Sequence, residues 1–169
     1  MRIPRLLALI FLSCGLTVTS QEREHSLNYS LGITRFDFFT GLEYQRKVGK
    51  FDPFCGFEAG INRTVFQQRL FPKFKLGTNL FLIRKEKWMF GPSLTYGYSL
   101  LNVNKSSSSY HRWHELFVGM RFLYGSNLKI GFILNGGYTA ERFPNQLTNK
   151  TDVHHMSGYH GAILLNYAF

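Results

Sequence analysis

The chain has 169 residues, the length of one domain, with 44% hydrophobic and only 18% charged residues, a large aromatic share (17 Phe, 9 Tyr, 2 Trp) and a formal charge of +10. A chain this rich in Phe, Leu and Tyr can bury enough surface to offset its lost conformational entropy, which excludes disorder. Its 16 Gly follow no period of three and its two Cys are too few for a disulfide scaffold, so collagen and a small cystine-knit fold are excluded too.

Met1 to Ser20 reads MRIPRLLALIFLSCGLTVTS. Arg2 and Arg5 give a positive start, Leu6 to Leu12 an apolar run, and Val18 and Ser20 stand three and one residues before a cut at Gln21. That layout predicts a cleaved export signal over 1–20 and a mature domain over 21–169. The apolar run is far shorter than the roughly 20 residues a membrane helix needs. Cutting before Cys14 and acylating it would make a lipoprotein, but Phe11-Leu12-Ser13 suit that cut poorly. Loss of Arg2 and Arg5 lowers the formal charge from +10 to +8 and leaves Cys55 as the one mature cysteine.

The mature chain then alternates large and small residues at period two, which only a strand does. Leu27, Tyr29, Leu31 and Ile33 oppose Asn28, Ser30, Gly32 and Thr34. Phe38, Thr40, Leu42 and Tyr44 oppose Phe39, Gly41, Glu43 and Gln45. The pattern recurs down the chain and is clearest after Lys87, where Trp88, Phe90, Pro92, Leu94, Tyr96, Tyr98 and Leu100 oppose Met89, Gly91, Ser93, Thr95, Gly97 and Ser99. Eight strands are predicted near 26–34, 37–48, 53–63, 72–83, 87–100, 112–124, 127–140 and 157–169. Short links at 48–52, 84–86 and 124–127 alternate with longer polar stretches near 64–71, 101–111 and 141–156, although the link at Arg35-Phe36 is short. Tight turns at one end and long loops at the other describe an up-and-down membrane barrel.

Eight strands enclose a bore just wide enough for side chains. The Phe, Leu, Tyr and Trp face would overfill it, whereas the face of Gly, Ser, Thr, Asn and a few charges would fit. The apolar face is therefore expected to point outward into lipid, with barrel closure satisfying the backbone. With both termini periplasmic, Trp88, Tyr44, Tyr167 and Phe169 fall near one interface and Phe38, Tyr98, Tyr138 and Tyr159 near the other, where amphipathic rings are favoured.

The final stretch, GYHGAILLNYAF, puts Ile163, Leu165, Tyr167 and Phe169 on one face and ends on an aromatic. It resembles the C-terminal assembly signal of bacterial outer-membrane barrels. The mature chain as a whole resembles the small eight-stranded family that includes OmpA-like and OmpX-like barrels. That resemblance implies an all-β, eight-stranded antiparallel transmembrane β-barrel in the outer membrane. It implies contact with outer-membrane lipid and with the barrel-assembly machinery, and a bore that does not conduct freely. A monomer is expected.

The inward charges Glu43, Glu58, Lys75, Glu115, Arg121 and Lys129 are expected to pair across the bore as a polar filling, because unpaired charges there would be costly. His111, His114, His154, His155 and His160 gather towards the external side. They lack Cys partners and zinc spacing, and so read as solvated loop residues. His155-Met156-Ser157 is similar to the His-x-Ser pair of outer-membrane lipid A deacylases, but no Asp or Glu follows Ser157, and only Glu141 could substitute. Ser106 to Ser109 beside Lys105 reads as an exposed loop tip. The Asn-x-Ser/Thr triplets at Asn28, Asn62, Asn104 and Asn149 are incidental in a barrel. No catalytic residue, cofactor, metal or nucleic-acid site is implied. The function read from the sequence is a non-enzymatic barrel with a structural or surface-interaction role through its external loops. The rivals are a secreted lipocalin-like carrier of an apolar ligand and, behind it, a lipid A hydrolase at the rim.

Overall fold

The computed structural model describes residues 24–62, 71–102, 110–145 and 150–169. The expected export signal with Cys14, the serine run at 106–109 and the triplets at Asn104 and Asn149 lie outside them. The strands are β1 (His25–Thr34), β2 (Phe38–Arg46), β3 (Phe51–Gly60), β4 (Pro72–Leu80), β5 (Ile83–Arg84), β6 (Trp88–Asn102), β7 (Tyr110–Gly125), β8 (Leu128–Asn145) and β9 (Lys150–Ala168). All pairings are antiparallel, and the sheet closes through β1–β9 and β4–β6. Asn79 opposes Ser93 whereas Ile83 opposes Phe90, so one extra residue enters on the β4–β5 side. This is a β-bulge at Phe81-Leu82. It makes β4 and β5 two pieces of one barrel strand and gives the eight strands expected.

The alternation sorts as the bore requires. Ser26, Asn28 and Ser30 of β1 are buried, while Leu27, Tyr29, Leu31 and Ile33 are exposed. Phe132, Leu134 and Leu165 are 46%, 61% and 42% exposed, which fixes the apolar face as the outer one. A lipocalin-like carrier needs the opposite, an apolar interior under a polar coat, and that reading is set aside. No helix among the described residues is long and apolar enough to cross a membrane. The fold is a transmembrane barrel crossing by strands.

Both chain ends and the short turns share one end of the barrel, where the Phe169 amide donates to the His25 carbonyl at 2.9 Å. There Val48 and Phe51 exchange two backbone hydrogen bonds around a two-residue turn. Gly49 takes φ 64 in that turn, a conformation costly for any other L residue. At the opposite end the short β1–β2 link holds itself: the amides of Phe36 and Asp37 donate to Thr34 Oγ1, and Asp37 Oδ1 accepts from the amides of Phe38 and Asn62.

Two expectations about this loop end are corrected. Residues 141–156 are largely strand, because β8 and β9 stay paired up to Asn145 and Lys150. Likewise β6 reaches Asn102 and β7 starts at Tyr110. A membrane strand needs about 9–11 residues. The 15 to 19 residues of β6 to β9 therefore overshoot it, β8 and β9 reaching farthest as a ribbon, whereas β1 to β4, of 9 or 10 residues, do not. Polar composition there marks exposure to water and not a break in pairing.

Candidate functional site

Inside the barrel the register sets charges beside glycines. Across neighbouring strands one row reads Glu43, Gly56, Lys75, Gly97, Glu115, and the next reads Gly41, Glu58, Lys73, Ser99. The glycines make room for the charges. A Cβ on Gly41 would stand 2.6 Å from Glu58 Cγ, and one on Gly97 would stand 2.9 Å from a Glu115 carboxylate oxygen and 3.0 Å from Lys73 Cε. Bulky inward rings are accommodated the same way: Phe54 lies over Gly77 and Phe117 over Gly158.

The belt is a continuous set of ion pairs and hydrogen bonds between side chains that are at most 4% exposed up to Arg84 at its end, which is 26% exposed. Lys73 Nζ reaches Glu115 at 2.5 Å and Glu58 at 3.8 Å. Lys75 Nζ reaches Glu58 at 2.7 Å and Glu43 at 3.5 Å. Arg121 donates to Glu43 at 2.6 Å and, through Nη1, to Gln45 at 2.9 Å. Gln45 donates to Asp52 at 2.8 Å, and Arg84 closes the run on Asp52 at 2.5 Å. Asn28 donates to Glu43 at 3.0 Å and accepts from Asn166 at 2.7 Å. Four carboxylates thus face four cations in a space that admits neither sign alone, which is the condition for keeping charge buried. Rings back the cations: Lys73 stands over Phe39 at 4.8 Å, and the Arg121 guanidinium stands 5.4 Å from the centre of Phe54.

Of the residues singled out from the sequence, Glu43, Glu58, Lys75, Glu115 and Arg121 meet in this belt. Lys129 is inward and buried, but it sits at the turn end, where Nζ donates to the Ser126 carbonyl at 2.5 Å. There it lines a vestibule of about 200 Å³ with Gln45, Asp52, Arg84 and Asn166. Lys73 takes the place in the belt that Lys129 was expected to fill. Lys73 lies two residues before Lys75 on the same face, so period two marked it. Its closeness to a stretch read as loop hid it.

The belt lies between two apolar clusters. Phe39, Phe71, Leu101 and Trp113 pack together towards the loop end, with Phe36 stacked on Trp113 at 5.1 Å. Phe81, Met89, Leu123, Ile133, Ala162 and Leu164 form the other cluster. The small face of each strand is accordingly more apolar at its ends than its middle suggests.

The histidines divide by face. His160 is not a solvated loop residue: it is 3% exposed, inside the bore, with Nε2 3.7 Å from Glu58. It opposes Thr34, the last residue of β1, and so falls within the wall. His111, on β7, faces the inner side of the ribbon, where its Nδ1 meets the Glu141 carboxylate at 2.6 Å and its ring stacks on Phe143 at 5.3 Å. His155 lies on the outer side against the Tyr138 hydroxyl. Glu141 opposes His154 on the inner face, whereas His155 and Ser157 point outward, so it shares neither face nor partner with that pair. The acid that a rim nucleophile needs is not supplied by Glu141. Among the described residues no cluster of three or more His, Cys, Asp or Glu could hold a metal ion.

Ile163, Leu165, Tyr167 and Phe169 all point outward from β9 or its end and are exposed, while Ala162, Leu164 and Asn166 point in. Trp88 packs against Tyr124 at 4.6 Å, and Tyr167 lies 6.2 Å from Phe169, so aromatic rings ring the turn end.

No protein-family model matches this sequence, and no curated protein matches it significantly. Solved structures do match the fold. The N-terminal β-barrel domain of Pseudomonas aeruginosa OprF superposes with a TM-score of 0.65 at 8% identity, over 89% of this chain and 100% of that one. The outer membrane protease OmpT from Escherichia coli superposes with a TM-score of 0.52 at 7% identity, over 90% of this chain and 99% of the other. At such identities the likeness is one of architecture, that of an outer-membrane barrel.

Proposed function

We propose that this chain is an exported, monomeric outer-membrane protein whose filled bore does not conduct and whose work is done without catalysis, at the surface, through the ribbon and loops of its loop end. The observation that carries this reading is the charged belt. Its ion pairs and hydrogen bonds run from Glu115 to Arg84, and apolar clusters flank it, so an ion crossing the barrel would have to break several buried pairs at once. The outward apolar face supports residence in lipid, and closure of the wall supports a single chain as the unit. The aromatic face of Ile163, Leu165, Tyr167 and Phe169 would be read by the barrel-assembly machinery. The role is to stiffen the envelope or to present the ribbon outside, where His111, Glu141 and Phe143 already hold one another.

Purified mature protein inserted into planar lipid bilayers is the test. The expected result is no steady conductance; stable unitary steps from wild-type protein would overturn the filled-bore reading. Fractionation with the outer membrane, together with faster migration of unboiled protein on a gel, is expected for the membrane reading. Recovery in buffer alone as a periplasmic protein would overturn it.

A further inference from the structure

Among the described residues, two outward positions of the wall, Gly136 and Gly161, carry no side chain at all. Outward positions are filled by large apolar side chains, yet in the row Ile33, Gly161, Leu134 the middle position is bare. Gly136 opposes Tyr159 in the next row towards the loop end, and a Cβ there would meet nothing within 4 Å. The result is a groove of about 690 Å³ on the wall formed by β8, β9, β1 and β2, lined by Leu31, Ile33, Phe38, Phe132, Leu134 and Ile163 with Gly161 at its floor. Its volume is that of a small-molecule site. Its lining is almost wholly apolar, and it opens onto the bilayer.

A cation stands at its loop end. Arg35 follows β1 two residues beyond Ile33, is exposed, and is steadied by an Nη1 donation of 3.2 Å to the Ser157 carbonyl. Ser157 opposes Tyr138, one of the rings at that interface, so the guanidinium sits at headgroup depth. Arg112 and Arg142 oppose each other on β7 and β8 farther out on the same loop end and add to its positive charge. An acyl chain lying in the groove would bring its headgroup under these charges.

We infer that the β8–β9–β1–β2 groove holds an acyl chain of the phosphorylated glycolipid of the outer leaflet, lipid A, with the lipid phosphate on Arg35. The inference rests on the membrane reading above and on the loop end facing outward. Gly161 supplies the depth and Arg35 the selectivity for phosphate, where a guanidinium fork suits a phosphate better than an ammonium does. Phospholipids with a single phosphodiester share the charge but are expected to bind more weakly, because they offer the rim one phosphate monoanion.

The test uses the mature chain in phosphatidylcholine vesicles doped in turn with bisphosphorylated lipid A, dephosphorylated lipid A and phosphatidylglycerol. Lipid retained on the protein after gentle detergent extraction is then measured. Wild type is expected to retain bisphosphorylated lipid A in preference to both others. Gly161→Leu fills the groove, and the position tolerates it, since a Cβ there would lie in ordinary contact with Leu134 Cδ2 at 3.4 Å and Ile33 Cγ2 at 3.9 Å. This variant is expected to lose about tenfold in retention of both lipid A forms. Arg35→Gln is expected to lose about fivefold for the phosphorylated form alone. Equal retention by Gly161→Leu and wild type would overturn the groove. Wild type that does not distinguish the two lipid A forms, or that retains phosphatidylglycerol equally, would overturn the assignment to lipid A. Each variant is also run unboiled. Heat-dependent migration with failed lipid retention removes this inference alone, whereas loss of heat-dependent migration by wild type removes the membrane reading beneath it.

Discussion

Lys75 stands between two carboxylates, Glu58 at 2.7 Å and Glu43 at 3.5 Å, in a part of the bore that solvent barely touches. Removing one member of a buried set costs more than the set contributes, because the remaining charges keep their desolvation cost and lose the attraction that offset it. Lys75→Met is accordingly expected to destabilise the barrel by about 3–5 kcal/mol, read as a lower urea midpoint in detergent. Adding Glu58→Gln should recover part of that loss, because the two side chains are in direct contact and their effects are not additive. A single variant within about 0.5 kcal/mol of wild type would mean that the belt does not anchor the bore. The glycines beside the charges have their own cost. Gly97→Val forces a side chain against Glu115 and Lys73 and is expected to cost about 1–3 kcal/mol by overpacking, whereas Gly136→Val enters open space and should be close to neutral. Equal midpoints for the two valine variants would refute the view that inward glycines are spaces kept for charge.

At the level of elements, the eight strands were legible because alternation is a local signal: each strand sorts its own residues without knowing its neighbours. Their upper bounds were not, because beyond the membrane both faces of a ribbon meet water and the large–small contrast fades. Residues such as Glu141, Asp152 and His154 look like loop residues although β8 and β9 pair throughout. The bulge at Phe81-Leu82 escaped for a related reason, since one inserted residue changes register with the partner strand and leaves composition untouched. The ribbon also stands apart energetically. Its β9 edge has no β1 partner beyond His160, which opposes Thr34, and its inner contacts include the His111–Glu141 pair with Phe143 and His154 around it. Replacing residues 143–152 by a two-residue turn is therefore expected to leave the urea midpoint and the heat-dependent gel shift unchanged while removing the tip of the ribbon. A fall of more than about 1 kcal/mol in stability would mean that the ribbon belongs to the folding unit of the barrel.

For the whole molecule, closure is what the sequence could imply and not display. That the apolar face must point outward follows from counting what eight strands can enclose. Which charges meet follows from register, and register depends on turn lengths and the bulge; hence five of the eight belt charges were read from the sequence while Lys73, Asp52 and Arg84 were not, and Lys129, inward as expected, sits at the turn end instead of in the belt. His160 was misread for the same reason: it lies on the inward face by period two, and only the pairing with Thr34 fixes it inside the wall. The exposed aromatic face of β9 poses a different question, because exposure at the interface gives it little to do for stability. The ring of Phe169 is 55% exposed, and its contacts are loose stacking against Tyr167 and His25 at 6.2 Å. If it serves assembly, Phe169→Asp should lower the amount of heat-modifiable protein in the outer membrane several-fold, while the same variant refolded from urea into detergent keeps its midpoint within about 0.5 kcal/mol of wild type. Phe169→Tyr, which keeps the ring, should behave as wild type in both. Loss of the detergent midpoint in Phe169→Asp would instead assign the ring to the fold, and unchanged membrane levels would deny it a part in assembly.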